Sequence, residues 1–159
     1  MAVLIFNIGC DQISKNIVRE NINYYEKIEL IDNHVILTKI ENSGAFLSLG
    51  DSFPEPVKII FLNILPVVML VLAFLYILLK TSLSRMTVIG ICFVIGGGVG
   101  NLYDRIMYGS VTDFLHIDFG LFQTGIFNMA DVSIMAGMFI IILDSYLSRQ
   151  RLDYHKQDK

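Results

Sequence analysis

Residues 109–131 read GSVTDFLHIDFGLFQTGIFNMAD, and this stretch decides how the chain is organised. It places two acids beside apolar sequence: Asp113 lies in a short alternating segment, and Asp131 lies at the start of the apolar run 128–147. An ionisable group at the edge of a lipid bilayer is costly, so in a membrane protein it marks a functional site by default. Two acids that can converge there indicate acid–base chemistry.

The composition is that of a membrane protein with a single domain, 1–159. Of the 159 residues, 54% are hydrophobic and 17% are charged, whereas about a quarter of a typical soluble domain is charged. The mean hydropathy is +0.61. A net charge of −3 without any Lys/Arg-rich run argues against a nucleic-acid partner. Cys10 and Cys92 both lie in apolar runs, where a thiol packs as a small hydrophobe, so we expect no disulfide.

Four transmembrane helices are predicted, over about residues 2–20, 57–79, 86–106 and 128–147. A span needs about 20 predominantly apolar residues. The first segment is short and carries Asp11 and Lys15, whose i,i+4 spacing places acid and base on one helix face. This pair can serve a site, or it can simply fix the register of the helix. The fold class is therefore mainly α, a polytopic membrane protein.

Two outer loops, 21–56 and 107–127, connect these helices and carry most of the acids. Residues 34–40 (HVILTKI) and 111–119 show the period-two alternation of strands, which predicts a small extracytoplasmic β-sheet or flap. The link between the second and third helices carries Lys80 and Arg85, and the positive-inside rule places it in the cytoplasm. With four spans, both termini are then cytoplasmic and both loops lie outside.

The third predicted helix contains five glycines, and four of them lie close together at Gly96, Gly97, Gly98 and Gly100. In a membrane helix such small residues allow close approach of a neighbouring helix. The rival interpretation is a phosphate-binding loop, which needs a preceding strand and a Gly-Lys-Ser/Thr ending. The sequence has neither, so we expect helix packing here.

Five motifs follow one another along the chain: Asp11-x-x-x-Lys15, Asn42-x-Gly44-Ala45-Phe46, Gly97-x-x-x-Asn101-x-x-Asp104-Arg105, Val111-x-Asp113-Phe114 and Phe127-Asn128-x-Ala130-Asp131. In this combination and order, the sequence resembles the lipoprotein signal peptidases, the type II signal peptidases of bacteria. The resemblance covers nearly the whole chain. It departs at the first helix, which has only ten residues before Asp11, where the family usually has more.

The resemblance implies an intramembrane aspartic endopeptidase of the bacterial cytoplasmic membrane, without a metal or cofactor. Such an enzyme removes the signal peptide of a prolipoprotein by cleaving before a cysteine that already carries a diacylglyceryl group. It implies that Asp113 and Asp131 are the catalytic pair, near the outer face. The other matched positions would bind substrate or support the site: Asn42, Gly44, Ala45, Phe46, Asn101, Asp104, Arg105, Asn128, Ala130, Asp11 and Lys15. The implied partners are prolipoproteins and membrane lipid, and we expect a monomer.

Two adjacent carboxyl groups suit this chemistry because they share one proton, so that one acts as a base and the other as an acid. Zinc hydrolysis is disfavoured because His34, His116 and His155 lack an HExxH-like spacing.

Other interpretations stay open for the same acids. One is a small polytopic transporter that uses them as an ion relay, and another is an assembly factor whose loops dock a partner. Taken singly, Asn128 and Asp131 also fit a helix cap, and Asp113 in an alternating strand also fits a solvated surface acid.

Overall fold

The computed structural model describes residues 2–31, 34–45, 49–50 and 52–157, with side chains described to residue 150. In the described chain, the long helices are α1 (Ala2–Asn21), α2 (Glu55–Leu79), α3 (Arg85–Tyr108) and α4 (Met129–Gln157). The strands are β1 (Lys27–Ile31), β2 (Val35–Asn42) and β3 (Val111–Ile117). The predicted site residue Phe46 lies outside the described residues.

Three helices of the described chain are long and apolar enough to cross a membrane: α2, α3 and the Met129–Gln150 part of α4. Helix α1 has 20 residues but contains Asp11 and Lys15 within its length, which lowers its hydropathy. The predicted mainly helical membrane fold is therefore confirmed. The crossing of the bilayer by α1 stays a prediction.

Helix α2 is the peripheral helix, and none of its residues is buried. Its two ends are α-helical, whereas Ile59–Ile64 between them is wound as a π-helix. Pro66 follows this turn, and a proline ring clashes with the carbonyl four residues earlier, here that of Leu62. A wider π-helical turn relieves that clash.

Helix α3 is the central helix because its glycines allow close approach on three sides. A Cβ placed on Gly96 would lie 2.8 Å from the Cβ of Asn7 in α1, and one on Gly97 would collide with the carbonyl oxygen of Ala130 in α4. A Cβ on Gly98 would meet a leucine side chain of α2 at 2.6 Å. The predicted packing role of the glycines is confirmed.

Local sequence sets both ends of α3. Ser84 is the N-cap, and its hydroxyl oxygen accepts a hydrogen bond from the Thr87 backbone N–H at 2.9 Å. Gly109 ends the helix with φ at 78°, a left-handed conformation that suits glycine because it has no Cβ. The chain then enters β3 two residues later, so the C-terminal end of α3 lies next to the sheet.

The sheet has the order β1-β2-β3, and both pairs are antiparallel. In β2 and β3, Ile40 pairs with Asp113, and Asn42 pairs with Val111. The predicted strands at 34–40 and 111–119 are observed as β2 and β3. Strand β1 was missed although residues 27–30 (KIEL) alternate polar and apolar side chains, because the alternation is only four residues long. The strand is exposed at every position.

The fourth helix is longer than the sequence predicts. Instead of ending at Leu147 before a polar tail, α4 continues to Gln157. The prediction was wrong because it used apolarity as the stop signal. Beyond Leu147 the chain contains Arg, Gln, Leu and Lys, which are good helix formers in water.

Candidate active site

The two predicted catalytic acids lie where the C-terminal end of α3 and the N-terminal end of α4 adjoin the sheet. Asp113 lies in β3 and is only 4% exposed, whereas Asp131 lies in the first turn of α4 and is partly exposed. Both line one cavity of about 20 Å³, together with three asparagines and Arg105. A cavity of this size holds about one water molecule. The interpretation of Asp113 as a solvated surface acid is wrong.

Three asparagine amides hold the two carboxyl groups. The Nδ2 of Asn42 donates to Asp113 Oδ2 at 2.9 Å, and the Nδ2 of Asn128 donates to Asp113 Oδ1 at 2.6 Å. The Nδ2 of Asn101 donates to Asp131 Oδ1 at 2.8 Å. These donors are neutral, so they orient both acids without cancelling their charge.

Asn128 and Asp131 also form a reciprocal helix cap. The Asp131 N–H donates to Asn128 Oδ1 at 3.0 Å, and the Asn128 N–H donates to Asp131 Oδ2 at 3.2 Å. This is the geometry of a capping box. The cap expected from local sequence is confirmed, and it is the same contact that orients Asn128 toward Asp113.

Burial raises the pKa of Asp113 from 3.8 to about 6. The hydrogen bond from Asn42 lowers it, the nearby charge of Asp131 raises it, and the hydrogen bond from Asn128 lowers it. Desolvation disfavours the charged form of a carboxyl group, and a second carboxylate disfavours it further. Asp113 therefore keeps its proton at a pH where an ordinary aspartate is ionised.

Hydrogen bonds from β2 and from α3 hold the loop after β2 at the site. Asn42 accepts from the Gly44 N–H at 3.0 Å and donates to the Ala45 carbonyl at 3.1 Å. The Arg105 guanidinium donates to the Gly44 carbonyl at 2.8 Å. The predicted residues Asn42, Gly44, Ala45 and Arg105 are thus brought together at the cavity that Asp113 lines.

A cluster of buried charges lies beside the cavity, and we call Asp11, Lys15, Arg19 and Asp104 the ion cluster. Lys15 has no exposed side-chain surface, and its Nζ lies 2.8 Å from Asp11 Oδ2 and 3.1 Å from Asp104 Oδ2. Arg19 lies 2.9 Å from the same Asp104 oxygen. Two cations balance two carboxylates, so the cluster is neutral overall and joins α1 to α3.

Asn101 connects the ion cluster to the cavity that Asp113 and Asp131 line. Its Oδ1 accepts from Lys15 Nζ at 2.9 Å and from Asn128 Nδ2 at 3.1 Å. With the oxygen engaged by these donors, the amide nitrogen faces Asp131. Asp11 contributes from the other side, since its Oδ1 accepts from the Ala130 N–H at 2.9 Å.

Sequence reasoning missed three polar residues around the ion cluster. Arg19 also donates to Thr112 Oγ1 at 2.8 Å, and Gln12 donates to Asp104 Oδ1 at 3.1 Å. Arg19 was detectable, because it follows Lys15 by four residues and extends the same charged helix face. Gln12 and Thr112 carry no such signal. Among the described residues, no group of three His, Cys, Asp or Glu side chains is arranged to hold a metal ion.

Two larger, mainly apolar grooves open from Asp131. One of about 310 Å³ runs between α2 and α4 past Phe61, Pro66 and Met135. The other, of about 680 Å³, runs along α4 beneath residues 123–127. An apolar chain lying in either groove would come within reach of Asp131.

The chain is similar to known proteins over most of its length. Residues 3–147 match the model of a family described as signal peptidase (SPase) II. A lipoprotein signal peptidase of Aquifex aeolicus (strain VF5) is 37% identical over 113 residues. That match covers 71% of this chain and 66% of the relative, just under two thirds of its length.

Two solved structures, described as bacterial membrane enzymes determined by the in meso method, share the fold. The structure at 2.3 Å resolution has a TM-score of 0.84 and covers 94% of this chain and 88% of its own. The structure at 1.9 Å has a TM-score of 0.79 and covers 90% of this chain and 89% of its own. Each is 23% identical to this chain.

Proposed function

Since the chain belongs to the signal peptidase II family, a family of membrane proteases, we propose that it is an endopeptidase that removes the signal peptide of prolipoproteins. Cleavage falls before a cysteine that bears a diacylglyceryl group. The family assignment favours this function over the transporter and the assembly factor. The whole chain, 1–159, acts as one intramembrane peptidase domain.

One observation carries the assignment of Asp113 and Asp131 as the catalytic pair: both line the same water-sized cavity. In the resting enzyme the pair shares one proton, held by Asp113, whose pKa is raised to about 6. Asp131 takes a proton from the water, and the water oxygen attacks the scissile carbonyl carbon. Asp113 gives its proton to the carbonyl oxygen. When the tetrahedral intermediate collapses, the C–N bond breaks and the proton on Asp131 passes to the leaving amine of the cysteine. One hydroxyl proton of the intermediate returns to Asp113 as the new carboxyl group forms, which restores the starting state of the pair.

The remaining matched residues support this chemistry in our proposal. Asn42, Asn101 and Asn128 hold the carboxyl groups at fixed positions, so that little reorganisation is needed during the reaction. Gly44 and Ala45 border the cavity and place backbone groups beside the substrate peptide. Arg105 supports them through the Gly44 carbonyl, and the ion cluster supports Asn101.

We place the enzyme in the bacterial cytoplasmic membrane with four spans, both termini in the cytoplasm and the site near the outer face. Lys80 and Arg85, in the link between α2 and α3, support this orientation. The pairing of Asp11 with Lys15 supports the fourth span, because it removes the net charge from the middle of α1. The lipidated substrate stays in the bilayer, where each buried CH₂ contributes about 0.8 kcal/mol, and enters from the side. The enzyme works as a monomer.

The test is cleavage of a synthetic diacylated prolipoprotein peptide by the purified enzyme in lipid vesicles. We expect the wild type to release the signal peptide and Asp113→Asn to release none. A matched control is Asp118→Asn, the same change just beyond the far end of β3, which should cleave normally. Normal cleavage by a well-folded Asp113→Asn variant would contradict the two-aspartate mechanism.

A further inference from the structure

A second polar cavity, which we call the side cavity, lies next to the catalytic one. Its volume is about 190 Å³, and its polar lining consists of Ser43, Glu55, Lys58, Asn63 and Arg105. Arg105 lines both this cavity and the one that holds the two acids. A substrate bound at the acids therefore has its neighbouring groups within reach of the side cavity.

Two hydrogen-bond donors at the side cavity lack partners in the described part of the chain. Arg105 donates one N–H to the Gly44 carbonyl, but its Nε is buried and has no partner. The side-chain amide of Asn63 makes no hydrogen bond with any described residue. A buried donor without a partner costs about 1–3 kcal/mol, so the Arg105 Nε favours a ligand that supplies an acceptor oxygen. The half-buried Asn63 amide offers a second donor at the same cavity.

The position of Asn63 sets it apart from the rest of α2. It is the only amide or charged side chain between Lys58 and Lys80, and it lies in the π-helical turn Ile59–Ile64. Polar side chains within a membrane helix are costly and mark functional sites by default. Single π-helical turns inside α-helices are also frequent at functional sites.

Both cations at the side cavity lie near carboxyl groups, so its lining does not require an anion: Arg105 also lines the adjoining cavity with Asp113 and Asp131. The Lys58 ammonium lies 3.6 Å from the Glu55 carboxylate, and both line the cavity. A phosphate group would face that carboxylate, whereas an ester carbonyl needs only the donors of Asn63 and Arg105. Ile59 and Leu62 also line the cavity, and Ile59 is 48% exposed on the peripheral helix α2. Acyl chains can therefore leave the cavity along an apolar surface.

We propose that the side cavity binds the ester carbonyl groups of the glyceryl moiety on the substrate cysteine. Asn63 and Arg105 donate hydrogen bonds to the ester oxygens, and the acyl chains lie along α2 in the bilayer. Asn63 is then a specificity-determining residue that recognises the ester linkage. This inference rests on the proposed function, because it locates the lipidated side of that substrate.

The experiment uses two synthetic prolipoprotein peptides with equal chain lengths, one with a diester-linked and one with a diether-linked glyceryl group. The diether has no carbonyl oxygens. We expect wild-type kcat/KM to be about 3- to 10-fold higher for the diester, mainly through KM, since one or two neutral hydrogen bonds are gained. Asn63→Leu should lose this preference by cleaving the diester more slowly and the diether at the wild-type rate.

Two control variants separate recognition from structure. Asn63→Gln keeps an amide and should retain part of the preference, and Ile60→Leu changes a neighbouring lipid-exposed side chain and should behave as wild type. If Asn63→Leu slows both peptides equally, or if the wild type cleaves both equally, the inference is overturned while the proposed function stands. A wild type that cleaves neither peptide overturns the proposed function and this inference with it.

Discussion

Two pairs of aspartates lie side by side in this protein and differ in what surrounds them. In the ion cluster, Asp11 and Asp104 contact the cations of Lys15 and Arg19. In the catalytic cavity, the direct partners of Asp113 and Asp131 among the described residues are asparagine amides and backbone N–H groups. One pair is neutralised by opposite charge, and the other is only oriented.

The difference explains how one membrane protein can use the same residue type for structure and for chemistry. A carboxylate beside a buried cation stays ionised and joins two helices, but it is a poor proton carrier. Two nearby carboxyl groups held by neutral amides cannot both ionise easily, so Asp113 retains its proton up to a pH of about 6. Neutral partners therefore keep the second pair available for acid–base catalysis.

The largest expected effect comes from Asp131→Asn, which removes the proton-accepting group from the catalytic pair. We expect catalytic activity to fall by about 10²- to 10⁴-fold, the range that general acid–base catalysis contributes. The melting temperature should change little, because an amide oxygen at this position can still accept the bond from Asn101. Activity on a diacylated peptide and thermal unfolding in detergent check the two parts. A large loss of stability with normal specific activity would show that the two aspartate pairs do not differ as we argue.

Lys15→Met should have the opposite effect to Asp131→Asn, because it should mainly lower the stability of the fold rather than the activity. It leaves Asp11 and Asp104 buried with only Arg19 to balance them, and removing one partner of a buried ion pair costs about 3–5 kcal/mol. Denaturant unfolding in detergent measures this change in the free energy of unfolding. Lys27→Met, on the exposed strand β1, is the matched control and should unfold as the wild type does. Unchanged stability of Lys15→Met would argue against a structural role for the ion cluster.

Asn128→Ser separates the cap of α4 from the orientation of Asp113. Serine can still cap the helix, but it cannot reach Asp113 as the amide does. A hydrogen bond between neutral groups is worth about 0.5–1.5 kcal/mol, so activity should fall by about 2- to 10-fold while the melting temperature stays near that of the wild type. Equal losses of activity and stability would mean that Asn128 acts only as a cap.

The smallest effect is on the pH dependence of kcat/KM. The pH dependence of kcat/KM reports the pKa values of groups in the free enzyme. The value of kcat/KM should therefore fall as the pH rises through about 6, where Asp113 loses the shared proton, and this fall is the basic limb of the pH profile. The hydrogen bond from Asn42 lowers the pKa of Asp113, so Asn42→Ala should move this limb to higher pH even if its maximum activity is lower. Asn21→Ala, on the exposed end of α1, should leave the limb unchanged. A shift of the Asn42→Ala limb to lower pH would contradict the assignment.

The raised pKa of Asp113 also predicts how the stability of the fold changes with pH. The pKa of Asp113 is higher in the folded protein, about 6, than the ordinary value of 3.8. Protonation therefore favours the folded state, and the stabilising contribution of this group is present in full below about pH 4 and is lost as the pH rises through about 6. Unfolding of wild type and Asp113→Asn across this range checks it, since the variant lacks the titrating group.

Some helices and strands of this protein could be predicted from the sequence, and others could not. The apolar runs located α2, α3 and α4 because a span is recognisable from length and hydropathy alone. The C-terminal extension of α4 was not predicted because it is polar, and strand β1 was not predicted because its polar and apolar residues alternate over only four positions. The motif order placed Asp113 and Asp131 in one region, but each acid taken alone was as well explained by a surface position or a cap.

By itself the sequence determined the membrane class, the order of the helices and the residues from which a site could be built. Only the tertiary structure decided which atoms meet, such as Lys15 with the oxygen of Asn101, 86 residues further along the chain. Hydropathy and periodicity are local properties, and they set where a helix or strand forms. Contacts between distant residues depend on how α1, α3, α4 and the sheet pack. That packing separates the aspartates held by cations from those held by amides.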